Sequence, residues 1–149
     1  MKQVFPIVPA GAGSPWTTAA IALLLVGLLF LFGYIFYSSR YSTFEVSAEG
    51  LRIRGDLYGR LVPRGALRLE QARVLNLNTE REYALSWRTN GIGMPGYSSG
   101  WFRLKNGGKA LAFLTTRDSV LYLPTSEGYA VLLSTPEPQA LLAALRAGR

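Results

Sequence analysis

The longest unbroken apolar stretch runs from Trp16 to Tyr37, WTTAAIALLLVGLLFLFGYIFY, and carries no charge. A helix rises about 1.5 Å per residue, so this stretch reaches roughly 33 Å, enough for a bilayer core of about 30 Å. Trp16 stands at one end and Tyr34, Phe36 and Tyr37 at the other, where amphipathic rings favour the headgroup level. The pattern predicts a transmembrane helix over 16–37. A flexible segment over 1–15, with Pro6, Pro9 and Pro15, precedes it. A core helix apolar on every face would need protein all around it, and the remaining domain is a small host. A cleaved leader would have a shorter apolar run ending in small residues; here the run closes in Ile-Phe-Tyr-Ser-Ser-Arg-Tyr. The span contains no GxxxG pattern, so nothing in it specifies helix pairing.

After Ser38 the period changes from that of a helix to that of strands. Phe44, Val46 and Ala48 alternate with polar residues, and so do Leu51 and Ile53, with Glu49-Gly50 read as the turn between them. Further short runs follow over 58–62, 72–77 and 83–87. A glycine-rich connection from Gly91 to Gly100 is expected as a loop. Strands are predicted over 101–105, 109–115, 119–123 and 129–133. Asn106-Gly107 is the clearest hairpin turn. Ser134 and Glu137 fit a capping box, with Pro136 in the first turn of a closing helix whose Leu141, Leu142 and Leu145 share a face. Such a helix is too short to persist unless it packs on the strands. The expected body, residues 38–149, is one mainly β domain of antiparallel strands with an end covered by the helix.

Composition narrows the chemistry. The 149 residues contain neither histidine nor cysteine, which excludes disulfides, thiol and histidine-based catalysis, haem ligation and ordinary zinc sites. No cofactor is expected. Net charge is +7, and 13 of the 16 cations are arginine. A basic domain beside a membrane can meet anionic headgroups, at about 1 kcal/mol per nearby cation. The arginines are spread from Arg40 to Arg149 rather than gathered in a tract, which also fits a generally basic surface. Lys2 precedes the span and Arg40, Arg52 and Arg54 follow it, a bias that places the carboxy-terminal domain in the cytoplasm.

Few residues are candidates for contact. Arg52 and Arg54 share one strand face, and Arg60 and Arg64 follow on the next run, so the four can form a cationic patch near the anchor. The alternative is a solvated strand face. Tyr97 lies in the glycine-rich connection, which lacks the phosphate-loop signatures GxGxxG and GK[ST]. Trp101, Arg103 and Lys105 form an aromatic and basic strip. One aromatic is thin support for base stacking, and no nucleic-acid partner is expected. Glu45 with Glu49 and Glu80 with Glu82 are spaced carboxylates without a nucleophile beside them, so no enzyme is expected.

Three stretches resemble the bacterial PH-like (pleckstrin-homology-type) domain family: FEVSAEGLRIRGDLYGRLVP (Phe44–Pro63), WRTNGIGMPGYSSGWFRLKNGGKALAFLT (Trp87–Thr115) and VLLSTPEPQALLAAL (Val131–Leu145). The resemblance implies a seven-stranded, two-sheet barrel capped by the carboxy-terminal helix. Glu49-Gly50 stands where a Lys-rich inositol-lipid loop would be, which weakens that ligand. The expectation is a single-pass protein of the bacterial inner membrane. It would act as a non-enzymatic scaffold whose candidate contacts are Arg52, Arg54, Arg60, Arg64, Tyr97, Trp101 and Arg103. Its partners would be the lipid bilayer, other proteins or a second copy of the chain. The alternative is a structural subunit of a larger membrane complex without a ligand of its own.

Overall fold

The computed structural model describes Gln3, Gly11 and residues 13–148; most of the expected flexible segment over 1–15, and Lys2 with it, lies outside them. The chain divides into two compact units, one through Tyr37 and one from Ser38 onward. The first is the body of helix α1, Pro15–Tyr41. Every side chain from residue 15 to 34 is exposed, Leu23 and Phe30 by 79% and 76%, so the helix offers apolar surface on all sides. It is long and apolar enough to cross a membrane. The helix outlasts the apolar run by one turn. It ends at Ser42, whose amide and hydroxyl both donate to the Ser38 carbonyl, at 3.1 and 2.6 Å.

The second unit is mainly β. Strands β1 (Thr43–Ser47), β2 (Gly50–Arg54) and β3 (Leu61–Pro63) form one antiparallel sheet. Strands β4 (Arg73–Leu75), β5 (Leu85–Met94), β6 (Tyr97–Leu104), β7 (Lys109–Leu114), β8 (Val120–Pro124) and β9 (Tyr129–Ser134) form a second, in the order β4-β8-β9-β7-β6-β5. Helix α2 (Pro138–Ala147) closes the chain. Among the described residues there are nine strands where the resemblance implies seven. A 3-10 turn over Arg64–Ala66 ends the three-residue strand β3.

Alternation explains the two cores. Along β7, Leu111 and Phe113 point to one side and Ala110, Ala112 and Leu114 to the other. The first set joins Leu51, Ile53 and Val62 of the small sheet and Leu142 and Leu145 of α2. The second joins Phe102, Leu104, Val120 and Leu132, covered by Leu77, Tyr83 and Leu85. Burying each such side chain contributes roughly 1.5–3 kcal/mol, so the two clusters outweigh any single polar contact. Because β7 and β9 are buried on both faces, they must be central. Strand β9 therefore inserts between β8 and β7 and runs parallel to β7, which corrects the expectation of antiparallel pairing throughout.

Two local readings change as well. Gly91–Gly100 is not a loop. It is a hairpin in which Gly91 faces Gly100, turning at Pro95-Gly96 with Gly96 at φ +78°. The glycines serve close strand approach: a Cβ on Gly91 would stand 2.4 Å from the Ser99 carbonyl oxygen. Nor does Ser134 cap α2. It ends β9, and its hydroxyl binds the amides of Thr115 and Thr116, each at 3.2 Å. The N-cap is Glu137 without a side-chain bond, and Pro138 rather than Pro136 opens the helix. Asn106-Gly107 does make a hairpin turn, but only Gly107 takes a positive φ, at +85°.

Gly91→Ala is expected to lower stability by more than about 1 kcal/mol, because backbone must move. Gly93→Ala, whose Cβ would meet the Phe102 ring at ordinary contact distance, 3.6 Å from Cε1 and 3.8 Å from Cζ, stays near neutral. Urea unfolding of the detergent-solubilised chain checks the pair, and equal midpoints would refute the close-approach account.

Candidate functional site

Residue type and register build one cationic and aromatic row. The Asn106-Gly107 turn sets Arg103 of β6 opposite Lys109 of β7. Lys109 is in turn opposite Tyr129 of β9, and Arg103 is opposite Trp87 of β5. Residues directly opposed in a sheet share a face, so Trp87, Arg103, Lys109 and Tyr129 make a row across four strands. Trp101, two residues before Arg103, shares that face. Lys109 Nζ lies 4.4 Å and Arg60 Cζ 5.1 Å from its ring centroid, and Tyr129 meets the ring edge-on at 5.0 Å. Each cation over the ring contributes about 0.5–1 kcal/mol where exposed, more where desolvated. Burial, then the charge of Glu127, push the Tyr129 hydroxyl above its ordinary value, while Arg60 pulls it down. Arg103 and Lys109 are exposed, and Trp87 is 68% exposed. Among the described residues Arg60, Arg103 and Lys109 form no ion pair with a carboxylate.

The expected cationic patch of four arginines does not assemble into one surface. Arg52 and Arg54 do share a face of β2, but Glu49 lies 3.5 Å from the first and Glu45 2.9 Å from the second. Arg64 turns to α2, where its Nη2 donates to the Arg146 carbonyl at 3.0 Å; a cation there also suits the negative end of the helix dipole. Arg60 leaves the group for Trp101. Of the seven residues singled out by sequence, the fold thus brings together Arg60, Trp101 and Arg103. Lys109 was legible as the hairpin partner of Arg103. Tyr129 was not, because its place follows from the parallel pairing.

Tyr97 is turned inward, at 7% exposure. Its hydroxyl donates to Asp56 Oδ2 at 2.5 Å. Asp56 also accepts from Ser99 at 2.5 Å, from Ser38 at 3.2 Å and from the Tyr58 amide at 2.9 Å. Ser38 and Ser99 are buried. The carboxylate is held by neutral donors alone, and hydrogen bonding to its charged form is what offsets the loss of water. Burial first, then the bond to Asp56, raise the Tyr97 pKa above its ordinary value of 10.0. No sequence motif marks this cluster, because its members come from three separate stretches. Ser99 is fully buried, so its contact with a carboxylate does not present a nucleophile to a substrate. Among the described residues no three Asp or Glu side chains converge as a metal site would require.

Tyr97→Phe removes one donor from Asp56 and is expected to cost about 1–3 kcal/mol. The raised pKa also fixes a pH sign. Below pH 10 both folded and unfolded chains keep this proton; above it the unfolded chain releases it first, so stability falls as pH rises. Tyr122 and Tyr129, also shifted upward, act in the same direction. Tyr97→Phe should flatten that alkaline decline. Melting curves across the alkaline range check this, and parallel slopes for the two proteins would refute it.

The comparisons agree with this geometry. A family described as "Bacterial PH domain" matches residues 43–148. No curated protein and no solved structure matches. With two-thirds of its length matched, beginning at β1 and ending with α2, the chain belongs to the bacterial PH domain family.

Proposed function

We propose that this chain is a single-pass membrane protein whose PH domain is a non-enzymatic binding module, meeting a protein partner or anionic headgroups through Arg60, Trp101, Arg103 and Lys109. The observation that carries this reading is a cationic group without a carboxylate partner on a domain joined directly to an apolar helix. Arg52 and Arg54 on the small sheet are balanced by Glu49 and Glu45, whereas this group combines unpaired cations with an aromatic ring. PH folds are generally binding modules, although a fold by itself names no ligand. A second reading, a structural subunit of a larger membrane assembly, draws support from the unpaired outer edge of β5. The cation count around the span favours a cytoplasmic domain at the bacterial inner membrane.

Carbonate extraction should leave the full-length chain in the membrane pellet, and release into the wash would remove the anchor. Protease added to spheroplasts should spare the domain; its digestion would reverse the orientation. In neutral-lipid nanodiscs, Arg60→Glu with Lys109→Glu should weaken capture of a protein partner or of phosphatidylglycerol-rich vesicles by about tenfold. Unchanged capture by a variant of unaltered melting temperature would refute the assigned surface.

A further inference from the structure

We infer that the domain takes an extended, acidic segment of a partner protein as an added strand on the outer edge of β5. This rests on the binding-module reading and names its partner by chemistry. Strand β5 is terminal in the six-stranded sheet, so among the described residues one side of its ten-residue backbone has no strand beside it. Such an edge offers its free amides and carbonyls to an incoming strand. The other end of the sheet is the three-residue β4, too short to serve in the same way. Along β5 the pairing with β6 shifts register between Leu85 and Trp87 and again between Arg88 and Asn90, then runs regularly from Asn90 to Met94. The regular half suits main-chain pairing; the irregular half sets out side chains.

Charge decides what the segment carries. At the irregular half Trp87 is exposed, and Arg103 stands opposite it with Lys109 one strand further. Two cations placed directly opposite one another repel and destabilise a sheet. Glu127 acts on Tyr129 in the same row but forms no ion pair with these cations. An acidic side chain entering beside Trp87 relieves that repulsion. Exposed Lys105, two residues after Arg103, adds to the same field. Trp87 supplies the large, rigid anchor that protein interfaces favour. A protein segment is preferred to a lipid headgroup because only a peptide uses the backbone edge as well as the charge. Arg103 is also six residues from Tyr97, about 20 Å of strand, and Tyr97 is the residue beside Ser38, where the chain enters the domain.

The test uses the full chain in neutral-lipid nanodiscs and three labelled peptides. The first is a Val/Thr strand-forming peptide ending in a run of glutamates. The second replaces glutamate with glutamine. The third keeps the glutamates but carries N-methyl groups on alternate amides, which forbids strand pairing. The first should bind and slow hydrogen exchange of the Asn90–Met94 amides. The second and third should bind at least about tenfold more weakly. Arg103→Glu with Lys109→Glu, or the milder Arg103→Gln with Lys109→Gln, should abolish the preference for the acidic peptide while the chain stays folded, with a cooperative melt lowered by no more than the loss of one cation–ring contact. Equal binding of all three peptides, or a preference untouched by both variants, overturns the inference. If no peptide binds but phosphatidylglycerol vesicles do, and the variants lose them, the row serves lipid: the inference falls and the binding-module reading stands. If neither peptide nor vesicle binds, both fall.

Discussion

A single carboxylate holds the entry of the chain into its domain. Asp56 gathers Ser38 from the last turn of α1, the Tyr58 amide from the connection between β2 and β3, and Tyr97 and Ser99 from β6. The Ser38 hydroxyl reaches the Gly55 carbonyl as well, at 2.9 Å. A carboxylate partly withdrawn from water is stabilised when donors replace the water it lost, so these residues support one another. Removing any one costs that hydrogen bond and loosens the others. The connection that leaves β2, the turn end of the β5–β6 hairpin and the first residues of the domain are thereby fixed to one point. The apolar clusters supply the bulk of the stability, but they are indifferent to which polar groups meet at the rim. Asp56 supplies that selection.

The basic character of the chain resolves into cations with different work. Arg54 and Arg52 balance acids on their own hairpin, and Arg73 lies 3.3 Å from Glu80 and 5.2 Å from the Tyr83 ring, holding the long connection over the second core. Arg64 and Arg146 bind carbonyls, the latter those of Leu69 and Ala72. Arg60, Arg103 and Lys109 gather around two aromatic rings, while Arg68, Arg81, Arg88, Lys105 and Arg117 are exposed elsewhere on the domain. A net charge of +7 therefore says little by itself, and its distribution says more.

Local pattern was readable where it depends on neighbours in the chain. The alternation at Phe44–Ala48 and Leu51–Arg54 becomes the β1–β2 hairpin, with Glu45 opposite Arg52. The apolar run becomes the body of α1, and the leucines of the last helix pack into the first core. The unread parts depend on distant pairing. Glycines at 91, 93, 96 and 100 look like a flexible connection when only their own freedom is considered; the facing of Gly91 and Gly100 turns that freedom into close packing. Ser134 and Glu137 carry a helix-start spacing, yet the bonds of Ser134 to Thr115 and Thr116 hold it in the sheet. Asp56 and Tyr97 are 41 residues apart, and nothing in either neighbourhood marks them as partners.

The position of β9 has a consequence for biosynthesis. Strands β7 and β8 leave the ribosome before the strand that must lie between them, and neither can complete its ladder until residues 129–134 have emerged. For that interval one edge of the apolar strand β7 has no strand to pair with. Closing the sheet then waits on contacts distant in sequence, the kind that fold slowly and expose nascent chains to misassociation. Pairing of residues 129–134 between β7 and β8 is thus the step at which a half-made sheet becomes a protected one.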